Sequence, residues 1–158
     1  MREILFRGKR NDNGEWVYGS LLRLNLKKTF ICDGTVWIGT LTPCKFEVIP
    51  ETVGQYTGLT DKNGKKVFEG DIFRYGQRFD YACYLESIEH PEEYDGKIYD
   101  TDIEIDVVEW GIDMDYPAFD FKNHQFECNG LAQIMCGDYE YEVIGNIHDN
   151  KLEDFNGR

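Results

Sequence analysis

The sequence lacks any apolar run long enough to cross a membrane. The opening stretch from Met1 to Arg7 carries charged side chains among its apolar ones, so the apolar centre of a secretory signal is missing. No later stretch approaches the roughly 20 apolar residues that a membrane-spanning helix needs. We therefore expect a cytoplasmic protein.

Basic side chains are also scarce: 17 Lys and Arg face 30 Asp and Glu, which gives a formal net charge of −13. Binding to a phosphate backbone or to an anionic lipid surface gains much of its free energy from clustered cations. The sequence therefore predicts neither direct nucleic-acid binding nor membrane binding. Apolar residues make up 41% and aromatic residues 15% of the chain, which is enough for a folded core.

Spacings typical of metal or disulfide sites are missing. The five cysteines form no C-x-x-C pair, and the three histidines form no H-E-x-x-H motif. We predict free thiols, no metal and no cofactor. The cysteines are Cys32, Cys44, Cys83, Cys128 and Cys136.

Known catalytic motifs are missing too, including G-x-S-x-G, the P-loop and the Rossmann fingerprint. His124 and Cys128 are four residues apart, which leaves Cys-His chemistry open. The neighbouring aromatic pattern fits a strand or a turn equally well. We predict that the protein is not an enzyme.

The sequence does contain short β-like runs separated by turn residues at nearly regular intervals, which predicts a mostly β fold with a minor α+β character. One such run alternates Ile103, Ile105 and Val107 with Glu104 and Asp106. This period of two predicts a strand with one buried face and one acidic, solvated face.

We predict two small β modules joined by a connector. The second module is expected to be an SH3-like barrel or a sandwich, with an acidic loop at 86–102 and one short helix between Asn129 and Gly137. The predicted boundaries are an N-terminal β meander at 1–52, a structured connector at 53–70, the SH3-like module at 71–150 and a tail at 151–158.

The connector also holds our candidate binding site. Gln55, Tyr56 and Thr57 place an amide, a phenol and a hydroxyl between two glycines, a mixture that suits a ligand or a buried hydrogen-bond network. In the alternative interpretation this segment only joins the modules, with Tyr56 buried as a wedge. We expect the site to be completed by the basic residues Arg7 and Lys9 and by the aromatic pair Trp16 and Tyr18.

Five blocks of the chain resemble the YopX family of phage and prophage proteins. The central block V-G-Q-Y-T-G-L-x-D-K-N-G-K-x-x-x-E-G-D-I covers 53–72 and is long and specific. The other blocks occur in the family's order: R-E-I-x-F-R-G-K at 2–9, W-V-Y-G at 16–19, V-V-E-W at 107–110 and Y-E-V-I-G-N-I-H-D-N at 141–150. The resemblance implies a β-rich protein carried by mobile genetic elements, and it supplies no catalytic residues to transfer.

The resulting functional hypothesis is a phage or prophage accessory protein that binds a ligand in the host cytoplasm. One form is a homo-oligomer that sequesters a small anionic molecule, such as a nucleotide-like defence signal. The alternative is an acidic DNA mimic, or a module that binds a protein partner and inhibits a host nucleic-acid-binding protein.

Overall fold

The computed structural model describes residues 3–24, 28–36, 43–79, 99–100, 103–111, 118–123, 129–137 and 139–155. These residues form two antiparallel sheets. The predicted acidic loop at 86–102 lies outside the described residues except for 99–100. None of the helices in the described ranges is long and apolar enough to span a membrane.

The first sheet contains six strands in the order β4-β3-β2-β1-β5-β6. A turn containing Gly14, whose φ is +72°, joins β1 to β2, and a 3₁₀ turn at Pro50–Thr52 leads into β5. The 53–70 segment, predicted as a connector, supplies β5 and β6 of this sheet. The strands are β1 (Phe6–Lys9), β2 (Trp16–Leu24), β3 (Lys28–Val36), β4 (Pro43–Glu47), β5 (Gly54–Thr60) and β6 (Lys66–Phe68).

The second sheet has the order β10-β9-β7-β11, and β8 pairs with the far end of β7. One α-helix, α1 (Gly130–Cys136), contacts β10 and β11, and a 3₁₀ turn at Leu152–Asp154 follows β11. The strands are β7 (Asp71–Phe79), β8 (Tyr99–Asp100), β9 (Glu104–Trp110), β10 (Phe119–Phe121) and β11 (Tyr139–Asn146).

The main hydrophobic core lies between this second sheet and α1. Phe73 packs against Phe121, and Leu131 and Ile134 of the helix are fully buried beside them. Val67 of β6 is also part of this core, so the first sheet contributes directly to the packing of the second. Burying each such side chain stabilises the fold by roughly 1.5–3 kcal/mol.

The predicted fold class is confirmed, and so is the short helix expected between Asn129 and Gly137. Asn129 caps α1 by accepting a hydrogen bond from the Ala132 amide, and Gly137 follows the last helical residue. Over the described residues the second sheet is an open path rather than a closed barrel. The apolar face that barrel closure would have covered is covered in part by α1 instead.

The predicted burial pattern of β9 is wrong at two positions. Asp106 is buried, while Ile103, just before the strand, is 55% exposed. The Asp106 carboxylate accepts hydrogen bonds from the backbone amides of Val107 and Asn123 and from the Asn123 side chain. These bonds make burial of a carboxylate tolerable, and alternation of polar and apolar residues cannot reveal them.

Asp61 gives a direct test of how the sheets are joined. One of its carboxylate oxygens accepts the amides of Asn63 and Lys65, and the other accepts the Val143 amide of β11. Asp61→Asn keeps the shape but turns one acceptor into a donor, so we expect a loss of about 1–3 kcal/mol in the free energy of unfolding in urea. The exposed Asp12→Asn serves as the control and should change stability much less; equal losses would contradict the joining role.

Candidate ligand-binding cleft between the two sheets

Four of the predicted site residues share one face of the first sheet. Arg7 and Lys9 of β1 lie directly opposite Tyr18 and Trp16 of β2. Residues two apart on a strand, and residues opposite each other across a strand pair, point to the same side of a sheet. The basic pair and the aromatic pair are therefore brought together, as the sequence predicted.

Arg7 is buried where this face meets the second sheet. One of its terminal nitrogens donates to the Asp71 carboxylate at 2.5 Å, and the other donates to the Glu69 carbonyl at 3.1 Å. Its guanidinium lies between the rings of Trp16, at 4.9 Å, and Phe68, at 5.0 Å. Burial raises the pKa of Asp71, while Arg7 and the Phe68 amide act in the opposite direction. Arg7 is thus engaged by groups of the protein itself.

Lys9 is engaged in a similar way by the turn after β11. Its ammonium donates to the His148 carbonyl at 3.2 Å and forms an ion pair with Asp149, which also accepts the Trp16 indole N–H at 2.7 Å. Partial burial alone would raise the pKa of Asp149, but hydrogen bonds from Asn146, Lys9 and Trp16 lower it to about 2. Lys9 and Trp16 therefore tie the first sheet to the end of the second.

The three predicted site residues of the connector do not lie together in one site. Tyr56 is buried with its ring 5.5 Å from Phe68, whose ring also lies 5.6 Å from that of Tyr18, so Tyr56 joins the cluster around Arg7. Gln55 lies opposite Phe6, and its side chain belongs to the other face of the strand. Thr57 is buried, and its hydroxyl donates to the Val67 carbonyl. The site prediction for all seven residues stays a prediction.

A cleft of about 500 Å³ lies beside this cluster, where the two halves of the chain meet. None of the seven predicted residues lines it, although Glu69 and His148 contact Arg7 and Lys9 through their carbonyls. The lining residues are Glu51, Val53, Glu69, Gly70, Val107, Val108, Glu109, Lys122, Asn123, Ile147, His148 and Leu152.

Gly70 holds the cleft wall together. Its amide donates to the Val108 carbonyl and its own carbonyl accepts the Ile147 amide, so it connects β9 with the chain after β11. Its φ of +81° requires glycine, and a Cβ built there would lie 3.5 Å from the Ile147 side chain. Glu69 and Gly70 form a turn before β7, and this turn is also part of the cleft wall.

His148 is one of the polar wall residues that sequence reasoning missed. Within the described residues neither of its ring nitrogens has a hydrogen-bond partner, and its ring lies 6.0 Å from that of Trp16. Burial lowers the pKa of His148, with Arg7 and Lys9 acting in the same direction and Asp149 opposing them. The histidine is therefore neutral near neutral pH. Its place in the block I-G-N-I-H-D-N was the available signal.

The described residues show no group of three His, Cys, Asp or Glu side chains arranged to hold a metal ion. Cys32 and Cys136 are free thiols. Cys83, Cys128 and His124 lie outside the described ranges, and so does the Cys44 side chain, so the predictions on thiols, metals and cofactors stay predictions.

Two substitutions separate packing from hydrogen bonding in the connector. No described residue hydrogen-bonds the Tyr56 hydroxyl, so we expect Tyr56→Phe to leave the free energy of unfolding within about 0.5 kcal/mol. Thr57→Val removes a buried hydroxyl that donates to Val67 and accepts from the Leu59 amide, and should cost about 1–2 kcal/mol. Urea unfolding measures both losses. A larger loss for Tyr56→Phe than for Thr57→Val would refute the hydrogen-bond assignments of these two hydroxyls. If the Tyr56→Phe protein is stable but has weakened activity in a phage-infection assay, the Tyr56 hydroxyl contacts the ligand.

The lowered pKa of His148 predicts a pH dependence of stability. The folded state favours the neutral imidazole, whereas the unfolded chain takes up a proton near the ordinary pKa of 6.5. Stability should therefore fall as the pH is lowered from about 7 to about 5. In His148→Gln this contribution is absent, so the slope of unfolding free energy against pH should be shallower over that interval. An unchanged slope would show that His148 titrates normally in the folded protein.

Among three comparisons with known proteins, the family model agrees with the sequence blocks described above. The chain is similar to the crystal structure of protein EF1440 from Enterococcus faecalis, with 21% identity, a TM-score of 0.48 and coverage of 95% of this chain and 96% of that one. No curated protein matches it. The family model described as YopX protein matches residues 5–153, which is nearly the whole sequence. The chain therefore belongs to the YopX protein family.

Proposed function

We propose that this protein is carried by a phage or prophage and acts in the host cytoplasm by binding a ligand, without catalysis, in the cleft between its two sheets. The observation that carries this proposal is the cleft itself. Its volume of about 500 Å³ lies within the range of known ligand sites, and its wall combines apolar side chains with a few polar groups.

Binding rather than catalysis is supported by the composition of the wall. Among the described residues that line the cleft there is no serine, threonine, cysteine or tyrosine, so hydroxyl and thiol nucleophiles are missing from the described wall. Val53, Val107 and Leu152 provide apolar surface, and Ile147 is an exposed hydrophobic residue at the rim. Such a surface favours a ligand that buries apolar atoms.

The choice between the two ligand hypotheses depends on free positive charge. A nucleotide-like ligand needs unpaired cations, but Arg7 is paired with Asp71 and Lys9 with Asp149. Arg10, the third cation of the first hairpin, is paired with Asp12. These pairs give more support to the alternative, an acidic module that binds a protein partner of the host.

A homo-oligomer remains part of the proposal. Tyr18, Leu22 and Leu24 lie at alternate positions on β2 and all three are exposed. An apolar strip of this kind on one sheet face is suited to contact with a second copy.

Native mass spectrometry of protein recovered from its natural host reports both assembly and any retained ligand. We expect an oligomer that carries an additional mass, either a small molecule or a partner chain. Ile147→Trp places an indole at the cleft rim and should abolish that mass, whereas Ile4→Trp, at an exposed apolar position outside both the cleft wall and the β2 strip, should keep it. If both variants retain the same additional mass, the cleft is not the binding site. If the recovered protein carries no additional mass, ligand binding is refuted, and if it is a monomer, the oligomer is refuted.

A further inference from the structure

We infer that the cleft receives a basic side chain, with arginine fitting best, from a protein partner. This inference rests on the proposed binding function and specifies the chemistry of its ligand. It depends on three features of the wall: its charge, its apolar surface and an unpaired hydrogen-bond acceptor.

The charge of the wall is negative. Glu51, Glu69 and Glu109 contribute three carboxylates, and Lys122 is the one ammonium among the described lining residues. Its Nζ lies 3.9 Å from a carboxylate oxygen of Glu109, so these two charges offset each other. Glu51 and Glu69 are left to favour a cation. The nearby cations Arg7 and Lys9 do not line the cleft and are paired with other carboxylates.

The apolar part of the wall suits the stem of a long basic side chain. Val53, Val107 and Leu152 line the cleft beside the glutamates, and Ile147 at the rim is 46% exposed. Arginine and lysine bury their methylene groups along apolar surface while the charged end reaches polar groups. A small inorganic cation would make no use of these side chains.

His148 adds an acceptor that favours a guanidinium. Its imidazole lines the cleft and is not hydrogen-bonded to any described residue. A neutral imidazole has one nitrogen that accepts a hydrogen bond, and a guanidinium offers five N–H donors in a planar fork. A guanidinium therefore has enough donors to use both a wall carboxylate and the His148 acceptor.

A protein is favoured over a free amine by the setting of the cleft. Glu51, Lys122 and Ile147 are exposed, so the rim is accessible to a side chain that projects from another protein's surface. The net charge of −13 extends far beyond the cleft and would attract a partner with a broad basic surface.

The test is an NMR titration of the isotope-labelled full-length protein. The probes are the capped tripeptide Gly-Arg-Gly, the same peptide with citrulline as the neutral isostere, spermidine and AMP. We expect the arginine peptide to shift the backbone amides of Gly70, Val108 and Ile147 in a saturable way, and the other probes to shift them weakly or not at all.

A variant pair links the shifts to the wall. Replacing Glu51 and Glu69 with glutamine should weaken binding of the arginine peptide by about tenfold, because two charge-assisted contacts become neutral. The control replaces Glu15 and Glu47, two exposed glutamates outside the cleft, with glutamine and removes the same total charge. Equal weakening by both pairs would reduce the effect to overall charge and overturn the inference.

The remaining outcomes are also decisive. Equal binding of the citrulline peptide would show that the positive charge plays no role. Binding of AMP at the same amides would show that the cleft favours an anion, which contradicts the inference. Spermidine binding as tightly as the arginine peptide would identify a small-cation site instead of a protein partner. If no probe shifts these amides while the protein from its host still carries a mass that Ile147→Trp abolishes, the inference fails and the proposed function stands.

Discussion

The buried contact between Arg7 and Asp71 is the interaction on which the rest of this structure depends. Arg7 belongs to β1 and Asp71 is the first residue of β7, so one ion pair joins the two sheets. Taking both charges out of water costs several kcal/mol, and here the Glu69 carbonyl and the rings of Trp16 and Phe68 supply compensating contacts. Loss of one partner would leave a buried charge and cost about 3–5 kcal/mol. The same contacts hold Glu69 in place, and the cleft wall begins there.

Much of the local structure could be predicted because its causes are local. Asn63-Gly64 and Glu69-Gly70 are turns with both glycines at positive φ, a conformation that glycine favours. The helix could be located from Asn129 and Gly137 because capping chemistry lies within a few residues of the helix ends. The grouping of Arg7, Lys9, Trp16 and Tyr18 followed from strand alternation across a short hairpin.

The parts that could not be predicted depend on contacts between distant residues. Arg7 and Asp71 are 64 positions apart, and nothing near Arg7 in the sequence indicates that its charge is already paired. Asp106 was expected on a solvated face, but its partner Asn123 lies 17 residues further along the chain. The cleft wall likewise combines residues from Glu51 to Leu152. Periodicity reports which face of a strand is buried, but not which other segment covers that face.

These long-range contacts change how the basic hairpin is interpreted. The sequence shows Arg7 and Lys9 as the main cations available to a ligand, whereas in the fold both join the two halves of the chain. Burial is the main cause that lowers the pKa of His148, and Arg7 and Lys9 act in the same direction, since a proton on its imidazole would be repelled by both. A neutral imidazole keeps one nitrogen as a hydrogen-bond acceptor, and in a wall that also contains Glu69 that acceptor is suited to a donor-rich group. The cations that first suggested an anionic ligand thus hold the two halves of the chain together, and the adjoining cleft is left with glutamates as the main charges of its wall.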